Sequence, residues 1–222
     1  MSKISRSGFV GIIGAPNAGK STLLNQVLGQ KISITSKKPQ TTRDRILGVV
    51  NRPHSQIVFL DTPGIHKSTT LLNQRIVAQA IQAMDDVDLI LFMVDAASRN
   101  YASEKMIVKQ FETVRKPVIL ALNKIDLAKK AAVYEQVATF KDMYAFETIV
   151  PVSARENIQM NLLLDELESR LPQGPPLYPE ETFTDVSEKY MVSEIIREKV
   201  FRLTGMEIPY SSAVTVDAFE VE

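Results

Sequence analysis

The stretch Gly14–Ser21, GAPNAGKS, decides how this chain folds. It fits G-x-x-x-x-G-K-[ST], follows the apolar run FVGII at 9–13, and opens a helix-forming sequence from Lys20. Phosphate groups need many donors at short range. Gly14 and Gly19 let the main chain turn and approach, so that the N–H groups of about residues 17–22 point inward at a helix start. The loop Gly14, Ala15, Pro16, Asn17, Ala18 and Gly19 is therefore read as a phosphate cradle. Lys20 is placed to reach β- and γ-phosphates, the Ser21 hydroxyl to ligate Mg²⁺, and Thr22 to sit by an α-phosphate. A chance match in a chain of this length is on the order of 1% from average residue frequencies.

Outward from this loop, short apolar runs recur at 9–14, 45–51, 57–61, 89–95, 118–123 and 148–154. Several, such as LILFMVD, are apolar throughout, the pattern of strands buried on both faces. Helical patterns lie between them: from Lys20, around 72–86, around 101–115, around 131–142, and over 157–171. In the last, Leu162, Leu163, Leu167 and Leu171 are expected to form one apolar stripe. The alternation predicts an α/β three-layer P-loop fold, a mostly parallel six-stranded sheet between helices. The runs 45–51 and 57–61, joined through RPHSQ, read as a hairpin that makes one edge strand antiparallel. Ligands of such sheets bind where the loops converge beyond the carboxyl ends of the strands.

Further blocks lie at such strand ends. In DTPGIH, Asp61 is placed to hold Mg²⁺ through a water and Gly64 to offer its N–H to a γ-phosphate, with Thr62, Pro63 and Ile65 lining the same nucleotide site. Signalling GTPases carry a glutamine at the position of Ile65 to orient the attacking water. Isoleucine cannot donate, accept or carry a proton, so its side chain is assigned no chemistry. In NKID, the Asp126 carboxylate can accept from the ring N–H and exocyclic amine of guanine, whereas adenine offers an acceptor there. Asn123 is expected to brace the loops on the purine side, with the stem of Lys124 over the ring. In SAR, Ser153 and Ala154 follow the last strand, and the Ala154 N–H is expected to reach guanine O6.

Composition narrows the classes. Lys and Arg number 26, Asp and Glu 26, so no global charge attracts nucleic acid and any such binding needs a local patch. The absence of cysteine excludes disulfides and cysteine-ligated metals. FVGII is too short for a signal peptide's apolar core, and no run approaches the ~18–20 residues of a membrane span, so a cytoplasmic location is expected. His54, His66 and the cluster Asp85, Asp86 and Asp88 read as turn or solvated residues, and the basic 36–45 stretch as a solvated loop. At 172–179, PQGPPLYP holds four prolines and one glycine and reads as a stiff linker. Beyond it EKYMVSEIIREKVFRLTG predicts an amphipathic helix capped by Gly205, and SSAVTVDAFEVE a half-exposed strand.

These blocks in this order resemble the translation-factor-like GTPases of the P-loop class over residues 8–172. GAPNAGKSTLLN, PQTTRDRILG, DTPGIH and SEIIREKVFRLTGMEIPYS together resemble the Era family of bacterial ribosome-assembly GTPases, the last block setting it apart from TrmE- and Der-like relatives. The resemblance implies a GTPase domain at 1–172, a linker at 173–184, and at 185–222 the N-terminal, incomplete part of an α+β type II KH domain. It implies a GTP/GDP switch acting in 16S rRNA and small-subunit assembly, monomeric, cytoplasmic, with peripheral association at the inner face of the cell membrane. Lys20, Gly64, Asn17 and a switch threonine carry the catalysis on this reading. That threonine, a Mg²⁺ ligand, is Thr42 by position before Arg43, with Thr41 the alternative. Asn17 resembles an asparagine that helps hold K⁺ against the phosphates, supplying the positive charge of an arginine finger. The alternatives are a neighbouring-branch tRNA-modification or ribosome-assembly GTPase, or a GTP-stabilised RNA-binding scaffold with little turnover. A KH domain grips RNA through a G-x-x-G loop. None occurs after residue 180, so the 222-residue chain alone is not expected to bind RNA well.

Overall fold

Alternation of large apolar residues within each central strand gives the sheet two buried faces. A computed structural model of the chain describes residues 6–35, 45–65, 81–204 and 213–218. Its strands are β1 (Arg6–Gly14), β2 (Ile46–Arg52), β3 (Ser55–Asp61), β4 (Leu89–Asp95), β5 (Val118–Asn123) and β6 (Thr148–Pro151). They form one sheet in the order β2-β3-β1-β4-β5-β6. Only the β2–β3 hairpin pairs antiparallel, from Ile46 opposite Asp61 to Arg52 opposite Ser55. The strands of this hairpin run closer to the turn than the sequence suggested, leaving Pro53 and His54 between them.

The helices are α1 (Lys20–Leu28), α2 (Ala102–Val114), α3 (Lys130–Met143), α4 (Met160–Arg170) and α5 (Glu188–Leu203). In β4, Leu89, Leu91 and Met93 join one core layer with Leu23 and Leu24 of α1 and Leu163 and Leu167 of α4. Ile90, Phe92 and Val94 join the other, with Ile107 and Phe111 of α2 and Phe140 of α3. This two-sided burial is why the strand runs are continuously apolar. Phe92 centres an aromatic cluster, edge-on to Phe111 at 5.2 Å and stacked with Phe146 at 6.1 Å.

The structure departs from expectation at several places. Leu162 is 47% exposed, and the buried stripe of α4 is Met160, Leu163 and Leu167, continued by Leu171. The helix begins at Met160 rather than 157, because Asn157 and Gln159 adopt positive φ and close a tight loop in which Ser153 and Ile158 exchange backbone hydrogen bonds. That phase puts Leu162 on the wet side. β6 stops at Pro151, since the chain must leave the sheet to build the 152–159 loop. Residues 213–218 form no strand, because no ladder partner flanks them among the described residues. The helix expected at 72–86 lies mostly outside the described residues, as does Gly205; α5 ends on Thr204, whose N–H donates to Val200 O (3.0 Å).

The proline-rich stretch is fastened along the sheet. Ser7 N–H donates to Pro172 O (3.1 Å), and Leu177 and Tyr178 N–H groups donate to Gln56 Oε1 (2.7 and 2.9 Å). Val49 N–H then donates to Phe183 O (2.9 Å), and the Thr184 hydroxyl to Leu47 O (2.6 Å). The segment thus covers part of the open edge of β2, whose main-chain groups would otherwise face water unpaired. It delivers the chain to α5, which Ser187 caps by accepting from Tyr190 N–H (3.3 Å).

The solvent side of α4 gives a sharp contrast. Leu163→Ala should cost about 2–5 kcal/mol of unfolding free energy and Leu162→Ala less than about 0.5 kcal/mol, read from urea titrations; equal costs would contradict the phase of this helix.

Candidate nucleotide-binding site

At the carboxyl ends of β1 and β3 two loops lie in van der Waals contact. Gly14 ends β1 and Gly19 is the N-cap of α1, with φ +99° and no side-chain cap. A Cβ at Gly19 would also lie 2.2 Å from Asn123 Nδ2. The first turn of α1 holds no acidic residue to occupy its N–H groups, the condition for receiving an anion. Asn17 stands exposed at the loop tip in a left-handed conformation, φ 63°. Thr22 is half-buried.

Lys20 is only 6% exposed. Its ammonium donates to Gly14 O (3.2 Å) and Ala15 O (3.0 Å), bending back over the loop that is expected to hold phosphates. Burial lowers its pKa to about 8 from 10.5, and the nearby Asp61 carboxylate opposes the shift. Asp61 is 0% exposed. Its Oδ2 accepts from the Ser21 hydroxyl (2.8 Å) and the Ser33 hydroxyl (3.0 Å). Oxygen-only donors of this kind suit a hard cation such as Mg²⁺, with Ser21 and Asp61 as the groups to hold it.

After Asp61 the chain turns under the phosphate loop. The Thr62 hydroxyl donates to Ile12 O (2.9 Å), so it fastens β3 to β1 rather than facing a ligand. Gly64 lies so near Pro16 that a Cβ would sit 2.8 Å from Pro16 Cα and N. Ile65 N–H donates to Gly14 O (3.1 Å), and its side chain is buried in the core layer with Ile13 and Val94. Its apolar identity anchors the loop from below. Thr41, Thr42, Arg43 and His66 lie outside the described residues.

The base end is organised by Asn123. Its Nδ2 donates to Ala18 O (2.8 Å) and its Oδ1 accepts from Ala154 N–H (3.0 Å), joining three loops through one side chain. The Ala154 donor expected to reach a base carbonyl is thus committed to Asn123 here. Asn123 Oδ1 takes this donor, a pairing that the spacing of the motifs could not reveal. The Ser153 hydroxyl accepts from Glu156 N–H (3.1 Å), holding that loop shut. Lys124, at φ 65°, pairs with Asp95 at 2.7 Å, while Asp126 stands exposed in the 3-10 turn Ile125–Leu127.

Three residues not singled out from sequence belong to this framework. Asp95 ends β4 and steers Lys124. Ser33 reaches Asp61, and Asn25 holds Ser33. Only Asp95, an acid at the end of a buried strand, carried a sequence signal. Asp88 accepts from Phe9 N–H (2.8 Å), a structural role, and the described residues hold no cluster of three or more metal-type side chains.

The buried ammonium sets a pH dependence in the nucleotide-free protein. Below pH 8 Lys20 is charged folded and unfolded, and the folded chain bears the full burial cost. Between about 8 and 10.5 the folded chain releases the proton while the unfolded chain keeps it, so stability rises with pH. Lys20→Met should flatten that rise, on the order of 3 kcal/mol, in denaturant titrations from pH 7.5 to 10.5; an unchanged profile would contradict the burial.

A family described as 50S ribosome-binding GTPase matches residues 9–124. GTPase Era of Geobacter metallireducens is 51% identical over 215 residues, covering 97% of this chain and 72% of the relative. GTPase Era of Halothermothrix orenii is 44% identical over 212 residues, covering 96% and 72%. Among solved structures, a single-residue variant of Aquifex aeolicus Era bound to GDP·AlF4⁻ superposes with a TM-score of 0.87 at 39% identity, over 93% of this chain and 70% of that one. Era in complex with MgGDPNP and nucleotides 1506–1542 of 16S ribosomal RNA gives 0.85 at 39% identity, over the same shares. With GAPNAGKS, DTPG and NKID brought together at the carboxyl ends of β1, β3 and β5, and relatives of this identity and coverage, the chain belongs to the Era family of GTPases.

Proposed function

We propose that the chain binds GTP and GDP with Mg²⁺, hydrolyses GTP slowly, and acts as a switch in 16S rRNA and small-subunit maturation. The observation that carries this reading is the convergence of Lys20, Ser21 and Asp61 in one buried cluster, beside a base loop ending in an exposed Asp126. Lys20, buried over the loop carbonyls, supplies its charge and remaining donors to β- and γ-phosphate oxygens. Ser21 and Asp61 hold Mg²⁺, which neutralises charge on the phosphates when bound. Gly64 N–H is the γ-phosphate sensor, and Ile65 stays in the core. Phosphoryl transfer asks for positioning and charge neutralisation more than covalent chemistry, so a missing glutamine is no obstacle. Ala15, Pro16, Ala18 and Thr22 line the phosphates, Thr62 and Pro63 shape the turn, and Lys124 and Ser153 frame the base. Thr42 closes the metal site in the GTP state.

The proposed domain division is a GTPase unit at 1–172, a connecting strap at 173–184, and the beginning of a KH module from 185. The Era relative seen with a 16S fragment supports rRNA as the partner of the longer family architecture. Asn17, exposed at the loop tip, is the proposed K⁺ ligand. A cytoplasmic monomer with peripheral membrane contact completes the reading; among the described residues no helix is long and apolar enough to cross a membrane.

Asp126→Asn tests the base assignment. It should weaken GTP binding by about a hundredfold or more and favour xanthosine triphosphate, whose carbonyl accepts from the new amide; undiminished GTP affinity would refute it. Turnover assays with Mg²⁺ in K⁺ and then Na⁺ test the switch reading. Stimulation by K⁺, lost in Asn17→Ala, is expected; equal rates in both salts would remove the potassium site, and no turnover in either would favour a GTP-stabilised scaffold.

A further inference from the structure

Ser33 occupies a position that neither the phosphate loop nor the DTPG turn accounts for. It lies in the irregular segment after α1, yet it is only 2% exposed, between the buried Ile32 and Ile34. Its hydroxyl donates to the same carboxylate oxygen, Asp61 Oδ2, that accepts from Ser21. Its main chain is immobilised from both sides. Asn25 Nδ2 donates to Ser33 O (2.8 Å), and Asn25 Oδ1 accepts from Ile32 and Ser33 N–H groups (3.0 Å each). Asn25 lies on α1, as does Ser21. The helix that supplies one hydroxyl to Asp61 therefore fixes the loop that supplies the other.

We propose that Ser33 is a positioning residue for the magnesium site: with Ser21 it clamps the Asp61 carboxylate in the rotamer that faces the metal, and Asn25 holds it there. The proposal rests on the reading that Ser21 and Asp61 hold Mg²⁺. Its physical content is pre-organisation. Asp61 is fully enclosed, and each hydroxyl donated to its Oδ2 further restricts turning about its Cβ–Cγ bond. Two donors from rigidly held chain segments fix it before the cation arrives, so the ordering cost falls on folding and not on metal binding.

The test measures release of a fluorescent GDP analogue from the full chain, in EDTA and across a Mg²⁺ titration. For Ser33→Ala the Mg²⁺ concentration giving half-maximal retention should rise by about tenfold. Release in EDTA should stay within about twofold of the parent, because Ser33 then has no metal to act through. Ser33→Thr, which keeps the hydroxyl, should restore the parent's half-point. If Ser33→Ala fails to fold, Ser33→Cys, similar in size with a weak donor, takes its place. A parental half-point in the variant, or release accelerated equally with and without Mg²⁺, would overturn the proposal, the second showing Ser33 to be a loop-shaping residue only. Failure of the underlying metal reading is separable, because then the parent and Asp61→Asn would both release GDP independently of Mg²⁺.

Discussion

The site depends on keeping two opposite charges buried within one loop cluster. Asp61 is fully enclosed and Lys20 nearly so. Removing an ion from water costs several kcal/mol even in relaxed protein, and attraction between partners repays this only with good geometry and additional hydrogen bonds. The structure supplies those bonds from the main chain for the cation and from hydroxyls for the anion. Burial is what lowers the pKa of this ammonium, and uncharged loop carbonyls are weak partners for it. A phosphate would be a far better one. A buried ammonium at the start of α1 is thus placed to receive an anion.

A second constraint joins the two ends of the site. Asn123 is buried at the end of β5, and its amide is spent on Ala18 O and Ala154 N–H. Phosphate loop and base loop are therefore spaced by one rigid side chain. Gly19 must be glycine both for its positive φ and because any Cβ would strike that amide. Two sequence blocks a hundred residues apart are in this sense one feature. Ile65 works similarly from below, pinning the DTPG turn into the core so that Gly64 bears directly on Pro16.

Much of this was legible in the sequence because the elements concerned obey local rules. Strands buried on both faces are uninterrupted apolar runs, and β4 and β5 fall at 89–95 and 118–123 as expected. The phosphate loop, DTPG and NKID are contiguous blocks whose residue types follow from the groups they must bind. What escaped depends on tertiary geometry. Leu162 has the right spacing for the stripe of α4, and only the positive-φ residues Asn157 and Gln159, which set where the helix begins, turn it to solvent. Ser33 sits in no periodic element, and its partner lies 28 residues away. The Ala154 N–H lies beside NKID, but its bond to Asn123 is a matter of distance that no local pattern carries.

The proline-rich strap gives the fold its last connection. Because residues 172–184 are bonded to β1, β2 and β3, α5 is held near the end of α1, and Lys31 pairs there with Glu198. Glu198 is 1% exposed, while Lys31 is nearly half exposed. Moving the cation away would leave a buried carboxylate with less compensation. Lys31 and Ser33 belong to one short segment, so the loop that touches the Asp61 carboxylate at one residue touches α5 two residues earlier. A rearrangement at Asp61 large enough to release Ser33 must either bend that segment within two residues or carry Lys31 with it. Asn25, bonded to residues 32 and 33 together, makes the first costly. The Asp61 carboxylate and α5 are thus linked through chain stiffness.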